Sequence, residues 1–290
     1  MLKLIAIISM LIDHTASYLP YTFQGSLYTL MRTIGRLAFP IFAYEIAIGY
    51  KRSRNPLVYL FRMIGSAIIT ELVLSYMHRV TYVDHYPNIF ITLSLGLALI
   101  MAIDALAKVR RDMVLLMRPA TDSPYNRDIR PYSFWGLKTN FSGFTLPAPV
   151  IIFLSVLSIF IIIILTLHFQ SDYYVYGVIS PLIFHILNQF IPITKSSRLN
   201  KPFSNGIVLR NTLLVFFVFL IFNLSYYFVL SKLLHYGLGR IQLMSSFACI
   251  LFPLEIYSKK PSKFMKYFYY IFYPLHLSIL FIIASQTGNI

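Results

Sequence analysis

The chain has 290 residues, 58% of them hydrophobic and 12% charged, with a net charge of +15 and one cysteine. A soluble domain carries about a quarter charged residues and under half apolar ones, so an ordinary soluble fold is excluded. The basic residues sit between apolar runs, which argues for membrane topology and against nucleic acid as a partner, and the lone Cys249 leaves no disulfide framework.

The apolar residues fall in runs of about twenty. At ~1.5 Å rise per residue such a run crosses a ~30 Å hydrocarbon layer. The first, Leu2–Leu19, reads as a transmembrane helix rather than a signal peptide. Asp13 and His14 stand where an apolar stretch should be, and no small-residue cleavage site follows. Lys3 and His14 are eleven residues apart, three turns plus about twenty degrees, so they share a face and lie ~16 Å apart along the axis. Lys3 is then near the membrane surface and His14 near mid-membrane. Asp13 points about a quarter turn away and is not automatically the partner of His14. Lys3 alone reads as a surface anchor and His14 alone as a packing hydrogen-bonder. Asp13 and His14 together, at that depth, favour a functional role, because ionisable groups are costly there.

The second run, Leu27–Tyr50, carries Arg32 and Arg36 one turn apart. Like charges at that spacing repel and need acidic partners or an anionic ligand. Glu71, in the third run Leu57–His78, is the natural counter-ion, which leaves open whether the arginines bind a ligand or lock two helices together. Glu45 and Arg62 form a second candidate pair. Beyond the third run, His78, Asp84 and His85 match no metal-ligand spacing, so no metal is expected. After the fourth run, Ile89–Leu106, comes the longest loop, Asp112–Ala148, with Pro119, Pro124, Pro131, Gly136 and Trp135. Its turn-forming residues predict an irregular segment, a tether or a lid. The remaining runs are Pro149–Phe169, Tyr174–Ile193, Val208–Leu233, Leu238–Tyr257 and Tyr267–Ser285. His185 follows Pro181 in one of them. His276 follows Pro274 in the last, where the proline opens the helix ladder as at many cavity-lining sites.

About nine spans result. Backbone groups must be satisfied inside lipid, and no run alternates as a barrel strand does, so the spans are helices. Every even-numbered exit is basic: Lys51, Arg52 and Arg54; Lys108, Arg110 and Arg111; Lys195, Arg198 and Lys201; Lys259, Lys260, Lys263 and Lys266. Positive loops stay inside, which predicts a cytoplasmic N-terminus and an outside C-terminus. The expected fold is one all-α, multi-pass membrane helix bundle over residues 1–290, in a cell membrane such as the bacterial inner membrane.

At this point the residues resemble those of TraX-type proteins. The opening Leu2–Lys3–Leu4–Ile5–Ala6–Ile7–Ile8–Ser9–Met10–Leu11–Ile12–Asp13–His14 is similar to their first helix. Arg36–Leu37–Ala38–Phe39–Pro40–Ile41–Phe42–Ala43, preceded by Arg32 and Gly35, resembles their second motif. Glu71, Asn88–Ile89–Phe90–Ile91–Thr92 with Gly96, and Asp172–Tyr173–Tyr174–Val175–Tyr176–Gly177 follow in order. The terminal Lys266–Tyr267–Phe268–Tyr269–Tyr270–Ile271–Phe272–Tyr273–Pro274–Leu275–His276 is close to the family's last motif. Two places depart from the pattern: the long Asp112–Ala148 loop, and Ser258–Lys259–Lys260–Pro261 where an Asn-Gly…Arg-Gly turn is common.

TraX is implicated in acetylating the N-terminus of conjugative pilin. Its family is grouped with integral-membrane acyltransferases that include heparan glucosaminide N-acetyltransferase. In that group a basic residue, ten intervening residues and a histidine mark the first helix, a spacing that Lys3 and His14 keep. The resemblance therefore implies transfer of an acyl group, acetyl above all, from cytoplasmic acyl-CoA to an amine or hydroxyl acceptor at the membrane or outer side, a pilin or another envelope component among them. His14 is the implied base, with Asp13 or another carboxylate orienting it, since histidine titrates near neutral pH. Lys3 and Arg62 are candidates for the CoA phosphates. Arg32, Arg36, Glu71 and His276 form a further polar set for the acceptor or for structure. Two other readings stay open: a transporter or flippase, against which the lack of internal repeats counts, and a non-catalytic pilus or envelope assembly factor.

Overall fold

A computed structural model describes residues 1–81, 88–116, 148–169, 173–193, 204–230, 232, 239–257 and 263–289. Asp84, His85, Pro119–Gly136 with Trp135, Asp172, Lys195, Arg198, Lys201 and Ser258–Pro261 lie outside the described residues. The regular structure of the described residues is all helical, without strands. The helices are α1 (Leu2–Tyr18), α2 (Gly25–Gly35), α3 (Ala38–Arg52), α4 (Pro56–Thr81), α5 (Ile89–Leu116), α6 (Ala148–Phe169), α7 (Tyr174–Phe190), α8 (Asn205–Ser225, continued by a π-helical turn Tyr226–Leu230), α9 (Arg240–Tyr257, wound as a 3-10 helix) and α10 (Lys263–Gln286).

Among the described residues, five helices are long and apolar enough to cross a membrane: Pro56–Val80, Ile89–Arg110, Ala148–Phe169, Asn205–Val229 and Tyr267–Gln286. Their burial separates two roles. The apolar window of α5 is 72% buried, so α5 runs through the middle of the bundle, against α4, α6 and α7. That of α6 is 22% buried, and Phe153, Val156, Phe160 and Ile163 face outward along it. An apolar surface of that extent has no place in water and suits lipid. The protein is a membrane protein.

The run read as one span over Leu27–Tyr50 is two helices. Pro40 has no N–H for the carbonyl of Arg36, and its ring clashes with that carbonyl, so no α-helix continues through the pair. The chain instead tightens, with Leu37 N bonded to Ile34 O at 3.1 Å, and α3 restarts at Ala38 with Pro40 in its first turn, where proline is tolerated. The expected eighth span starts two residues late and is 3-10 wound. At ~2.0 Å rise per residue, eighteen residues extend ~36 Å, farther than an α-helix of the same length. Helix α5 runs on to Leu116, so the predicted loop loses its first residues to a helix.

The packing fixes relative directions. In α3 and α7, Phe39 stacks on Tyr173 at 4.2 Å and Tyr50 meets His185 at 5.3 Å, so start lies on start and end on end. Gly96 of α5 passes Val178 and Pro181 of α7, where a Cβ would come within 2.9 Å of Pro181 Cγ, and Asp104 lies 3.8 Å from His185. Tyr44 stacks on Phe252 of α9 at 4.0 Å, and Arg52 pairs with Glu255. Thus α3, α5, α7 and α9 run together. Helix α1 opposes α3, with Lys3 at Glu45 and Asp13 at Arg36. Helix α10 runs parallel to α1: Lys3 lies 5.5 Å from the Tyr269 ring, and beyond the far ends Tyr21 N donates to Asn289 Oδ1 at 3.0 Å. Lys3, Arg52 and Lys108 therefore emerge at one end of the bundle, the basic end.

Candidate functional site

Asp13 and His14 are neighbours in sequence but face different helices, as the ~100° step of an α-helix requires. Asp13, 7% exposed, points to the α2–α3 break. Arg36 Nη2 donates to both its carboxylate oxygens at 2.8 Å, and Arg32 Nη1 reaches Oδ2 at 3.0 Å and the Asp13 carbonyl at 3.3 Å. Gly35 makes this possible, because a Cβ there would overlap the Asp13 side chain. One buried carboxylate thus gathers two guanidiniums whose spacing would otherwise make them repel. The expected counter-ion, Glu71, is not at this site: it accepts from Asn88 Nδ2 at 3.1 Å, in the α4–α5 hairpin. The ion pairs of Arg32 and Arg36 among the described residues are with Asp13.

From Arg36 a polar chain crosses the bundle. Its Nη1 donates to Tyr173 OH at 3.3 Å and Gln242 Oε1 at 3.5 Å. Gln242 Nε2 donates to Tyr176 OH at 3.4 Å, which lies 3.3 Å from Ser245 Oγ. Asn223 Nδ2 reaches Ser245 Oγ at 3.1 Å and Ser246 Oγ at 2.7 Å. Tyr173 and Tyr174 sit at φ 61° and 47°, a left-handed conformation that side chains rarely adopt and that often marks functional segments. Reasoning from charge missed Gln242, Asn223 and Ser245, which carry none. Their signal was an amide or hydroxyl inside an apolar run.

His14 turns to α10. Its Nδ1 lies 2.7 Å from Nε2 of His276, the planes are 6° apart and the ring centroids 5.0 Å apart. More than half of that separation is the N···N vector, so the rings meet edge to edge rather than face to face. His276 is 4% exposed, and its Nδ1 lies 2.8 Å from the Phe272 carbonyl oxygen. Tyr273 presents its ring edgewise to His14 at 5.9 Å and His276 at 5.5 Å. The ring hydrogen bond of His14 is therefore with His276, while the Asp13 oxygens are held by the arginines. Pairing across 262 residues is invisible to spacing.

Lys3 does share the His14 face, since both reach α10. Its Nζ lies 3.4 Å from Glu45 Oε2, so Glu45 pairs with Lys3 and not with Arg62. Arg62 is exposed on α4, and its guanidinium makes no ion pair or hydrogen bond among the described residues. Deeper at the basic end, Asp104 accepts from Tyr50 OH at 2.8 Å and lies 3.5 Å from Lys108, while His185 bonds Gln189 at 2.7 Å.

The sequence matches a known family, described as TraX protein, over residues 1–284. The chain belongs to the TraX family. A curated relative, the probable fimbrial assembly protein FimC, serogroup H1, of Dichelobacter nodosus, is 33% identical over 109 residues. That match covers 34% of this chain and 44% of the relative. No solved structure matches. Both histidines of the pair and both arginines on Asp13 lie inside the TraX match.

Proposed function

We propose that this TraX-family protein is a membrane acyltransferase that moves an acyl group, acetyl first among candidates, from cytoplasmic acyl-CoA to an amine or hydroxyl acceptor. The observation that supports it is the His14–His276 hydrogen bond at 2.7 Å, on the same α1 face as Lys3. Acyl transfer needs a base where acceptor and thioester meet: the acceptor nitrogen or oxygen bonds to the carbonyl carbon, the C–S bond breaks, and the acceptor's proton must go somewhere. His14 takes that proton and returns it to the departing thiolate, so that amide or ester and free thiol leave with His14 unchanged. The ~16 Å from His14 to Lys3 separates the reacting thioester from the phosphates at the basic end, where Lys3 and the exposed Arg62 bind them. That end faces the cytoplasm, in keeping with the positive-inside rule.

The printed name of the relative favours an acceptor in fimbrial assembly, a pilin or another envelope component. The same name also suits an assembly factor that performs no chemistry. Purified protein in lipid, given acetyl-CoA labelled in the acetyl group and cell-envelope extract, separates the two. Release of free thiol together with label in an extract component is the expected result. Neither above the protein-free blank would leave the assembly reading.

A further inference from the structure

Resting on the acyltransferase reading, we infer that His276 is the positioning residue that fixes the tautomer of His14 and makes His14 Nε2 the atom that accepts the proton. The assignment starts at the far end of the chain of bonds. The Phe272 carbonyl can only accept, so His276 Nδ1, 2.8 Å away, carries a hydrogen and donates it. In a neutral imidazole the other nitrogen is then bare, so His276 Nε2 is an acceptor. His14 Nδ1, 2.7 Å from that nitrogen, must be the donor. His14 Nε2 is left with its lone pair, and no hydrogen bond from this atom is made among the described residues.

The surroundings hold the geometry. Phe272 stacks on the His276 ring at 4.9 Å and 11°, and Tyr273 stands edge-on to both imidazoles. Pro274, two residues before His276, lies inside α10. During transfer the acceptor's proton lands on Nε2, His14 becomes an imidazolium, and its Nδ1–H bond to His276 becomes charge-assisted and stronger. The same proton leaves from Nε2 to the thiolate. His276 gains and loses nothing, and does not touch the reacting atoms.

The test has a spectroscopic and a kinetic arm. In 15N-histidine-labelled protein in detergent, with His14 assigned from a His14→Gln control, Nδ1 is expected to be protonated and Nε2 bare. His276→Leu should mix the two tautomers. His276→Gln, whose amide oxygen can still accept from Nδ1, should restore the wild-type one. In turnover of acetyl-CoA, His276→Leu should lower kcat by about 10–10²-fold, the scale on which histidine-orienting partners act, with KM for acetyl-CoA unchanged. His276→Gln should recover most of the loss. A proton on His14 Nε2 in the wild-type protein overturns the inference, as does a His276→Gln variant as slow as His276→Leu. The expected tautomer in a wild-type protein with no acyl transfer at all would sustain the positioning role and sink the acyltransferase reading instead.

Discussion

At the basic end of the bundle three acids each have a base beside them: Lys3 for Glu45 and Arg52 for Glu255 between helices, and Lys108 for the half-buried Asp104 within α5. At the other end of α1 one carboxylate, Asp13, serves two guanidiniums, and the adjacent histidine binds another histidine. Such pairs neutralise charge, and the first two also join helices, the ordinary structural use of ions in a membrane. The second arrangement does something more. It clamps α1 to the α2–α3 break through Asp13, and it leaves His14 with a neutral partner and no carboxylate among the described residues. On the proposed function, adjacency in sequence divides structural and chemical work between two neighbouring residues facing different helices.

The comparison can be broken at the clamp. Asp13→Ala leaves the half-buried Arg32 and Arg36 without their carboxylate, and breaking a buried pair costs at most about 3–5 kcal/mol. The thermal melt of the purified variant should fall accordingly. A melt equal to wild type would show that the arginines are held by something else. Gly35→Ala acts on the same contact from the other side. Its Cβ overlaps the Asp13 side chain, and overpacking of this kind costs about 1–3 kcal/mol. Its melt should fall by less than that of Asp13→Ala.

The basic end gives smaller effects and a sharper separation. Lys3→Ala should weaken acetyl-CoA binding and also destabilise the fold, by leaving Glu45 unpaired. Adding Glu45→Gln removes the stranded charge, so the double variant should regain the melt but not the affinity. Recovery of both would make Lys3 only a structural ion. Lys3→Arg should bind acetyl-CoA almost as wild type, since both side chains hold phosphate. Labelling of single cysteines placed at residues 2 and 288 should find the two termini on opposite faces, because α1 and α10 run parallel. Labelling of both from one side would contradict that packing.

The sequence already showed the apolar runs in which five of the described helices, long and apolar enough to cross a membrane, lie, and the alternation expected of them. Runs such as Pro149–Phe169 are long, and basic exits such as Lys51–Arg54 are dense. The shared direction of α3, α5, α7 and α9 agrees with that alternation. The break at Arg36–Leu37 was hidden because hydropathy averages over about nineteen residues, while the break depends on one missing N–H at Pro40. Counter-ions were harder still. Glu71 and Asp13 are both acids in the runs that flank the one carrying the two arginines, and only the rotation of α1 and the bare Cα of Gly35 decide between them. His14 and His276 were each legible as costly intramembrane groups. Their pairing was not, because it depends on which helices end up side by side.

The central claim is that His14 is the base of an acyl transfer. Turnover of labelled acetyl-CoA by purified wild type and His14→Ala, with acetyl-CoA binding and thermal melts in parallel, tests it most directly. General-base catalysis contributes ~10²–10⁴-fold, so His14→Ala should lose about that factor in kcat while still melting and binding acetyl-CoA as wild type. Full turnover by His14→Ala would contradict the account, as would a rate loss accompanied by an equal loss of folded protein.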